Sequence, residues 1–371
     1  MKRLRIGYIG CGNLAQRVHI PNLVAARELC ELTAIAEVRP RLGRAVAAQW
    51  RIPTVYRDHH ELGADPAIDA VVLSGHWSTQ GDIAADLLTA GKDVLMEKPM
   101  ATSLVQAKRI LAAAARSGRR LMVAYMKRYD AGNVLFKQTV DRLRASGELG
   151  RLRYVRNAAI LGDWTAGLET PVIGTDEPYP PTVDHLPDWL SSQRRTGYMH
   201  FIQQYTHNIN FLRWLLGTTP GSVQPRAVLL DPADGLSGLT ALDAAGTLVA
   251  MESGCIHHHQ WNERTSCYFE TGMVESSMFT LLLRNVPSTV EIYAKGAIGD
   301  AATRTELFPA DGRTWAYRTE IDHFLTCLHS GEAFRSPGED ALEDVRLLED
   351  VYRRSVEAAP LATLVTQAMP A

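Results

Sequence analysis

The apolar positions along this chain follow two regimes. Up to about residue 125, short apolar runs alternate with stretches of helical period. Leu4, Ile6, Tyr8 and Ile9 form the first run and predict a buried strand. It breaks into Gly10-Cys11-Gly12, and a helical pattern follows through about Leu29. Further strands are predicted over 32–36, 66–73, 93–96 and 120–125, with helices through 82–88 and 103–116 between them. Strands and helices that alternate across short loops imply a parallel, doubly wound sheet. Beyond Tyr129 the period changes. Helices over 131–147 and 199–216 are joined by alternating stretches at 151–156, 223–230, 248–256, 265–271, 277–283 and 289–293, which favour a mostly antiparallel sheet. The expectation is an α/β chain with a dinucleotide-binding domain over 1–126 and a substrate-binding α+β domain over 127–371.

The first turn carries the most chemistry. Strand, glycine turn and helix in that order are the context of a dinucleotide fingerprint, here Gly10-x-Gly12-x-x-Ala15. Gly10 allows a tight turn, Gly12 lets a pyrophosphate approach the backbone, and Ala15 lets helix and strand pack closely. The N–H groups that open the helix, at Asn13 and Leu14, would face the phosphates. Glu37, at the tip of the second strand, sits where such folds grip the ribose hydroxyls. Arg39 and Arg41 stand nearby and would suit a 2′-phosphate instead. Glu97-Lys98-Pro99 closes another strand at its carboxyl end, where open α/β sheets bind ligands.

Composition narrows the classes. The 371 residues are 46% hydrophobic and 22% charged, a globular balance with room for two cores. A net charge of −2 and scattered basic residues give no field for nucleic acid or an anionic membrane. Five cysteines, far apart and without a Cys-x-x-Cys pair, fit a reducing cytoplasm. The apolar stretch behind Lys2, Arg3 and Arg5 is too short for a secretory leader, and no run is long enough to span a bilayer. A cytoplasmic location is expected.

The glycine motif, the Asp69-Ala70-Val71-Val72 strand, Ala90-Gly91-Lys92-Asp93-Val94-Leu95-Met96-Glu97-Lys98-Pro99 and Lys127-Arg128-Tyr129 together resemble the Gfo/Idh/MocA oxidoreductase family. The similarity resumes at Phe211-Leu212-Arg213-Trp214-Leu215-Leu216-Gly217 and in the helices between Glu320 and Ser355. The resemblance implies a Rossmann domain followed by an α+β domain whose open sheet forms a dimer or tetramer interface. It also implies NAD as cofactor, a cis Lys98–Pro99 bond, and cofactor contacts from Ser74, Gly75, His76, Trp77, Gln80, Glu97, Lys98 and Arg128. This chain departs from the pattern in two places. The family's Thr-Pro-Asn and His after the third strand are replaced by Gly75-His76-Trp77 and Gln80, so that Trp77 suits stacking rather than hydrogen bonding. The family's Asp-x-Gly-x-His reads Gln203-Gln204-Tyr205-Thr206-His207.

Hydride transfer to or from an alcohol carbon needs a group that handles the hydroxyl proton. Lys98 is the first candidate, with a pKa that burial would lower. His207 is the second. It lies on a helical stripe with Gln203, Asn210 and Trp214, beside a buried stripe of Ile202, Tyr205, Ile209, Leu212 and Leu216. Gln203 can orient His207 but cannot stabilise its charged form. His207 is then a weaker base, or Lys98 carries more of the proton transfer, with Tyr205 as a further proton carrier. His257-His258-His259 lacks nearby carboxylates or thiols, so a substrate contact or a surface strand end is expected there rather than a metal. The 161–190 stretch holds Asp163, Glu169, Asp176, Glu177, Asp184 and Asp188 with no Lys or Arg, interleaved with Trp164, Tyr179 and Trp189. It reads as a functional loop ahead of the catalytic helix, with a cationic substrate such as an amino sugar or aminoglycoside-like compound as one expectation. The sequence therefore points to an NAD-dependent dehydrogenase of a sugar, glycoside or cyclitol alcohol. A keto-sugar reductase and a non-catalytic dinucleotide-binding regulator are its alternatives.

Overall fold

The computed structural model describes residues 2–165, 171–255, 261–280, 282–284, 286–295, 301–310 and 315–358. Its first sheet takes β1 (Leu4–Ile9), β2 (Cys30–Ala36), β3 (Thr54–Tyr56), β4 (Ala70–Leu73), β5 (Asp93–Glu97) and β6 (Leu121–Ala124) in the order β3-β2-β1-β4-β5-β6. Every pair is parallel, which makes it the Rossmann order. The chain reverses its direction of winding between β1 and β4. The turns after those two strands therefore flank one crevice at the carboxyl edge.

The connecting helices are α1 (Ile20–Ala25), α2 (Pro40–Trp50), α3 (His59–Ala64), α4 (Trp77–Thr89) and α5 (Leu104–Ser117). The helix after the glycine turn is shorter than its period implied and begins as a π-helical turn over Ala15–His19. Pro21 has no N–H to donate to Arg17, and the ladder widens here, with the Ile20 N–H reaching Ala15 O. The strand expected from residue 66 starts only at Ala70. Before it, the Asp69 carboxylate accepts from the Arg5 N–H at 2.8 Å and from the Arg5 guanidinium. Strand β3 and helix α3, of three and six residues, carried too short a pattern to be read, and helix α2 was not predicted.

The second sheet has eight strands and packs against three helices. After α6 (Ala131–Ser146), β7 (Leu152–Leu161) and α7 (Arg195–Leu216) come β8 (Val223–Leu230), β9 (Gly238–Ala244), β10 (Thr247–Cys255), β11 (Asn262–Phe269), β12 (Gly272–Met278), β13 (Thr289–Lys295) and β14 (Ala302–Leu307). Their order is β14-β13-β12-β11-β7-β10-β9-β8. All neighbours are antiparallel except β7 and β10. Of the stretch expected as a strand over 277–283, only Ser277 and Met278 are strand, as the end of β12, because the hairpin turn falls at Glu270-Thr271 and moves the pairing back. Strands β9 and β14 went unread. Phe136, Val155, Ile202, Tyr205, Ile209, Val249, Leu348 and Tyr352 share the core between this sheet and α6, α7 and α9 (Gly338–Glu357).

Helix α8 (Ala316–Ser330) returns to the first unit. Its Ile321, Phe324 and Leu325 are fully buried among Ile6, Leu23, Met122 and Tyr129. The following segment pairs with β6, where the Val123 N–H donates to Ser336 O at 2.9 Å, and so covers the sheet edge.

Candidate active site

The glycine loop shows which of its residues serve the fold and which leave room. Gly10 has φ +90, and a Cβ there would sit 2.4 Å from Ser74 O, so the turn itself requires glycine. A Cβ at Gly12 would meet nothing within 4 Å. That space belongs to a cavity of about 460 Å³ lined by Gly10, Gly12, Asn13, Leu14 and Ala15 on one side and by Ser74, Gly75, His76, Trp77 and Gln80 on the other. Its size and its open glycine backbone fit a dinucleotide.

One end of this cavity is polar and capped by aromatic rings. The buried Glu37 carboxylate accepts from the Cys11 N–H at 2.7 Å and from the Arg39 Nε at 2.7 Å, so the carboxylate and Arg39 arrive as a pair. The Arg39 guanidinium lies 5.4 Å from the Tyr179 ring, and Tyr179 stands 5.7 Å from the His76 ring, which packs on Trp77 at 4.2 Å. Tyr179 comes from the acidic loop, three of whose carboxylates pair with arginines. Asp176 and Glu177 pair with Arg41, Asp184 binds Ser78 and Arg195, and Gln16 accepts from the Ile173 N–H at 2.9 Å. Trp189 packs edge-on against Tyr198. The acidity of this stretch therefore straps it to the basic rim of the first unit. The expectation of a cationic substrate loses the charge of these three; Asp163 and Asp188 remain, and Glu169 lies outside the described residues.

At the other end Lys98 begins a cis bond to Pro99, as expected. Buried Gln80 donates to Pro99 O at 2.6 Å and fixes this corner. The cavity continues into a second one of about 200 Å³, and Leu14, Glu97, Lys98, Trp164 and Gln203 line both. The Lys98 Nζ donates to Gln203 O at 3.2 Å, which ties it to α7. Burial pulls the Lys98 pKa below its ordinary value; Glu97 opposes the shift and Lys127 adds to it. His207 faces the second cavity, and its Nδ1 is buried without a partner. Burial, then the Lys98 and Lys127 ammoniums, hold its pKa well below 6.5, so the ring is neutral.

Two expected site residues belong elsewhere. Tyr205 is fully buried on the sheet side of α7 and donates to Leu236 O at 2.5 Å, one helical step away from the face that carries Gln203 and His207. Arg128 points into the packing of α9, binding Asn210 Oδ1 at 2.7 Å and Asp340 Oδ2 at 2.5 Å. Its partner Asn210 is thereby structural, so the stripe from Gln203 to Trp214 divides between cavity and core. Glu97 lines both cavities, but one oxygen is held by His19 Nε2 at 2.8 Å. Reasoning from sequence missed Lys127, Asn208, Trp261 and Glu263, which line the second cavity. Only Lys127 carried a signal, as the neighbour of Arg128. The His257–His259 run lies outside the described residues. Among the described residues His59, His60 and Asp86 bring possible ligand atoms within 4.8 Å of one another, with His60 and Asp86 exposed.

Comparison with known proteins agrees with this geometry. Residues 4–125 match the model of an oxidoreductase family with an NAD-binding Rossmann fold. The chain is 25% identical over 363 residues to an inositol 2-dehydrogenase of Rhizobium meliloti (strain 1021), covering 95% of this chain and 97% of that one. It is 27% identical over 341 residues to scyllo-inositol 2-dehydrogenase (NAD(+)) of Bacillus subtilis (strain 168), covering 89% and 87%. A crystal structure of a 3-ketoreductase from Actinomadura kijaniata with NADP and TDP-benzene superposes with a TM-score of 0.71 at 21% identity, covering 95% and 98%.

Proposed function

We propose that this chain is one of the Gfo/Idh/MocA oxidoreductases, whose Rossmann domain it matches over residues 4–125, and that it transfers hydride between NAD(H) and the carbinol carbon of a secondary alcohol on a sugar, glycoside or cyclitol. The observation that carries the reading is the meeting of two cavities at Lys98 and Gln203, one shaped for a dinucleotide and one for a small ring. Bound NAD(H) supplies or takes the hydride. The glycine loop and the N–H groups of Asn13 and Leu14 would hold its pyrophosphate, and Glu37 would accept from its adenosine ribose. Ser74, Gly75, His76, Trp77 and Gln80 form the opposite wall.

Lys98 handles the proton. Its lowered pKa eases loss of a proton from the ammonium, so that the amine formed accepts the alcohol proton as the carbonyl forms and the ammonium returns it in reduction. Gln203 keeps Lys98 in place through its main-chain oxygen rather than charging His207. Two neighbouring ammoniums make imidazolium formation costly, so His207 orients the substrate hydroxyl through its neutral ring while Lys98 carries the proton.

NAD(H) is favoured because a 2′-phosphate would bring its charge beside the Glu37 carboxylate, and Arg39 is already committed to that carboxylate. The B. subtilis relative carries NAD(+) in its name, and the A. kijaniata structure holds NADP. Exposed Leu229, Leu239, Leu248 and Tyr293 on the outer face of the large sheet support a homodimer or homotetramer formed there. Initial rates with NAD+ and NADP+ against a panel of cyclitols and sugars test the whole reading. Turnover with NAD+ on at least one neutral polyol is expected, and no turnover in either direction with either cofactor refutes it.

A further inference from the structure

The far wall of the second cavity is built around a carboxylate that the reaction does not use. Glu263 stands on β11, and its side chain is almost completely buried, as is that of Lys127, with which it forms an ion pair. The Glu263 Oε1 also accepts from Asn208 Nδ2 at 3.0 Å. The same Asn208 amide donates to Asn157 Oδ1 at 3.1 Å, and Asn157 donates to Thr265 Oγ1 at 2.9 Å. This chain of bonds joins α7, β7 and β11, so the Glu263 carboxylate is fixed from three elements.

The network leaves atoms over. Glu263 Oε2, Asn208 Oδ1, His207 Nδ1 and Trp261 Nε1 are each buried with no hydrogen-bond partner, and all four residues line this one cavity. Buried polar groups are normally satisfied, and a cluster of orphans calls for a partner. Glu263 Oε2 and Asn208 Oδ1 accept, Trp261 Nε1 donates, and His207 Nδ1 does either according to its tautomer, so the matching ligand presents several hydroxyl groups, which both donate and accept. Charge adds a second constraint. The cavity carries two cations, Lys98 and Lys127, and two anions, Glu97 and Glu263. A ligand with a net charge would leave one buried charge uncompensated, which is costly in a desolvated site.

We propose that Glu263, clamped by Lys127 and Asn208, is the specificity-determining residue of the substrate cavity, accepting a hydroxyl of a neutral polyhydroxylated ring and setting the charge balance that rejects uronates and amino sugars. The inference rests on the proposed function for the identity of the cavity. It adds a residue and a selection rule that neither the family motifs nor the proton-transfer residues supply.

The test is Glu263→Gln, assayed with myo-inositol, glucose, glucuronate and glucosamine, with binding of each measured by calorimetry on the NADH-bound protein. The variant keeps the shape and leaves Lys127 uncompensated. The Kd and KM for the neutral ring should rise about tenfold or more with a smaller change in kcat, because a site built to bond a hydroxyl loses its partner. Binding of glucuronate should tighten relative to wild type, a gain that misfolding cannot produce. The double variant Lys127→Gln/Glu263→Gln restores the balance and should lose that gain. Trp261→Phe, which alters no charge, should raise KM a few-fold for neutral rings and leave the ratio between charged and neutral ligands unchanged. If Glu263→Gln weakens all four ligands equally, or if wild type prefers glucuronate or glucosamine, the proposal fails. If wild type binds the neutral ring but turns over none, the dehydrogenase reading fails and the role of Glu263 stands. If it binds no neutral ring, the role of Glu263 falls.

Discussion

The two cavities that meet at Lys98 are built in opposite ways. The larger is made of main chain: a glycine turn, the loop after β4 and the first N–H groups of a helix. Two of the charged side chains on its wall, Glu37 and Arg39, are paired with each other. The smaller is made of side chains from α7, β11, β12 and the turn after β6, and it keeps four buried polar atoms without partners. A backbone site recognises a ligand that many chains share, since any sequence with the right glycines presents the same N–H groups. A side-chain site recognises what only this chain binds. Lys98 lines both, with Glu97 and Gln203 beside it, as the proton-transfer role proposed for it requires.

The sharpest way to break this comparison is to remove the shared residue. Lys98→Met should lower turnover about a hundredfold or more while the dissociation constant for NADH changes little, because the glycine loop and Glu37 hold the cofactor from the other end. Stopped-flow turnover and fluorescence titration of NADH measure the two effects separately. A loss of cofactor binding as large as the loss of turnover would mean that the cavities are not independent.

The next effect separates fold from ligand inside the main-chain site. Gly10→Ala places a Cβ 2.4 Å from Ser74 O at φ +90, so it should destabilise the fold by about 2 kcal/mol or more and lower the melting temperature. Gly12→Ala meets no protein atom within 4 Å. It should leave the melting temperature of the unliganded protein unchanged and weaken NADH about tenfold. Thermal melts with and without NADH distinguish the pair, and equal destabilisation of the apo protein by both would refute the assignment.

The smallest expected effect is a pH shift. Burial and Lys127 hold the Lys98 pKa below 10.5, so alcohol oxidation should rise with pH as the amine loses its proton and level off below that value. Removing the Lys127 charge raises the Lys98 pKa, so Lys127→Met should move the rising limb of kcat/KM to higher pH, by about one unit or less. His207 is already neutral across this range and should contribute no limb of its own. A limb that moves to lower pH, or does not move, removes Lys127 from the electrostatics of Lys98.

How far each cavity could be read from the chain follows the same division. Gly10, Gly12, Ala15, Glu37, Ser74 to Trp77, Gln80 and Lys98 were legible, because they sit in short contiguous motifs at the ends of apolar strands. Lys98 and His207 could be named as partners only through family resemblance, and the structure brings both to one cavity. The role of Gln203 changed. Its side chain stands where an Asp would charge the histidine, and its main-chain oxygen holds Lys98 instead. Tyr205 was misjudged because helical spacing places it one step from His207 but cannot say which face the sheet covers. Arg128 was misjudged because its motif fixes its position in the turn after β6 and leaves open that Asp340, more than two hundred residues later, claims it.

The sequence by itself determined the alternation of strands and helices, the glycine turn, and the change from parallel to mostly antiparallel pairing, because these depend on local period and on which residues tolerate a turn. Tertiary structure alone decided the rest. It returned α8 to the first core, spent the acidic stretch on Arg41 and Arg195, and brought Lys127 and Glu263 together across 136 positions. No local pattern encodes such pairings. A buried charge draws its meaning from the partner that packing sets against it, and that partner is known only when the chain has folded.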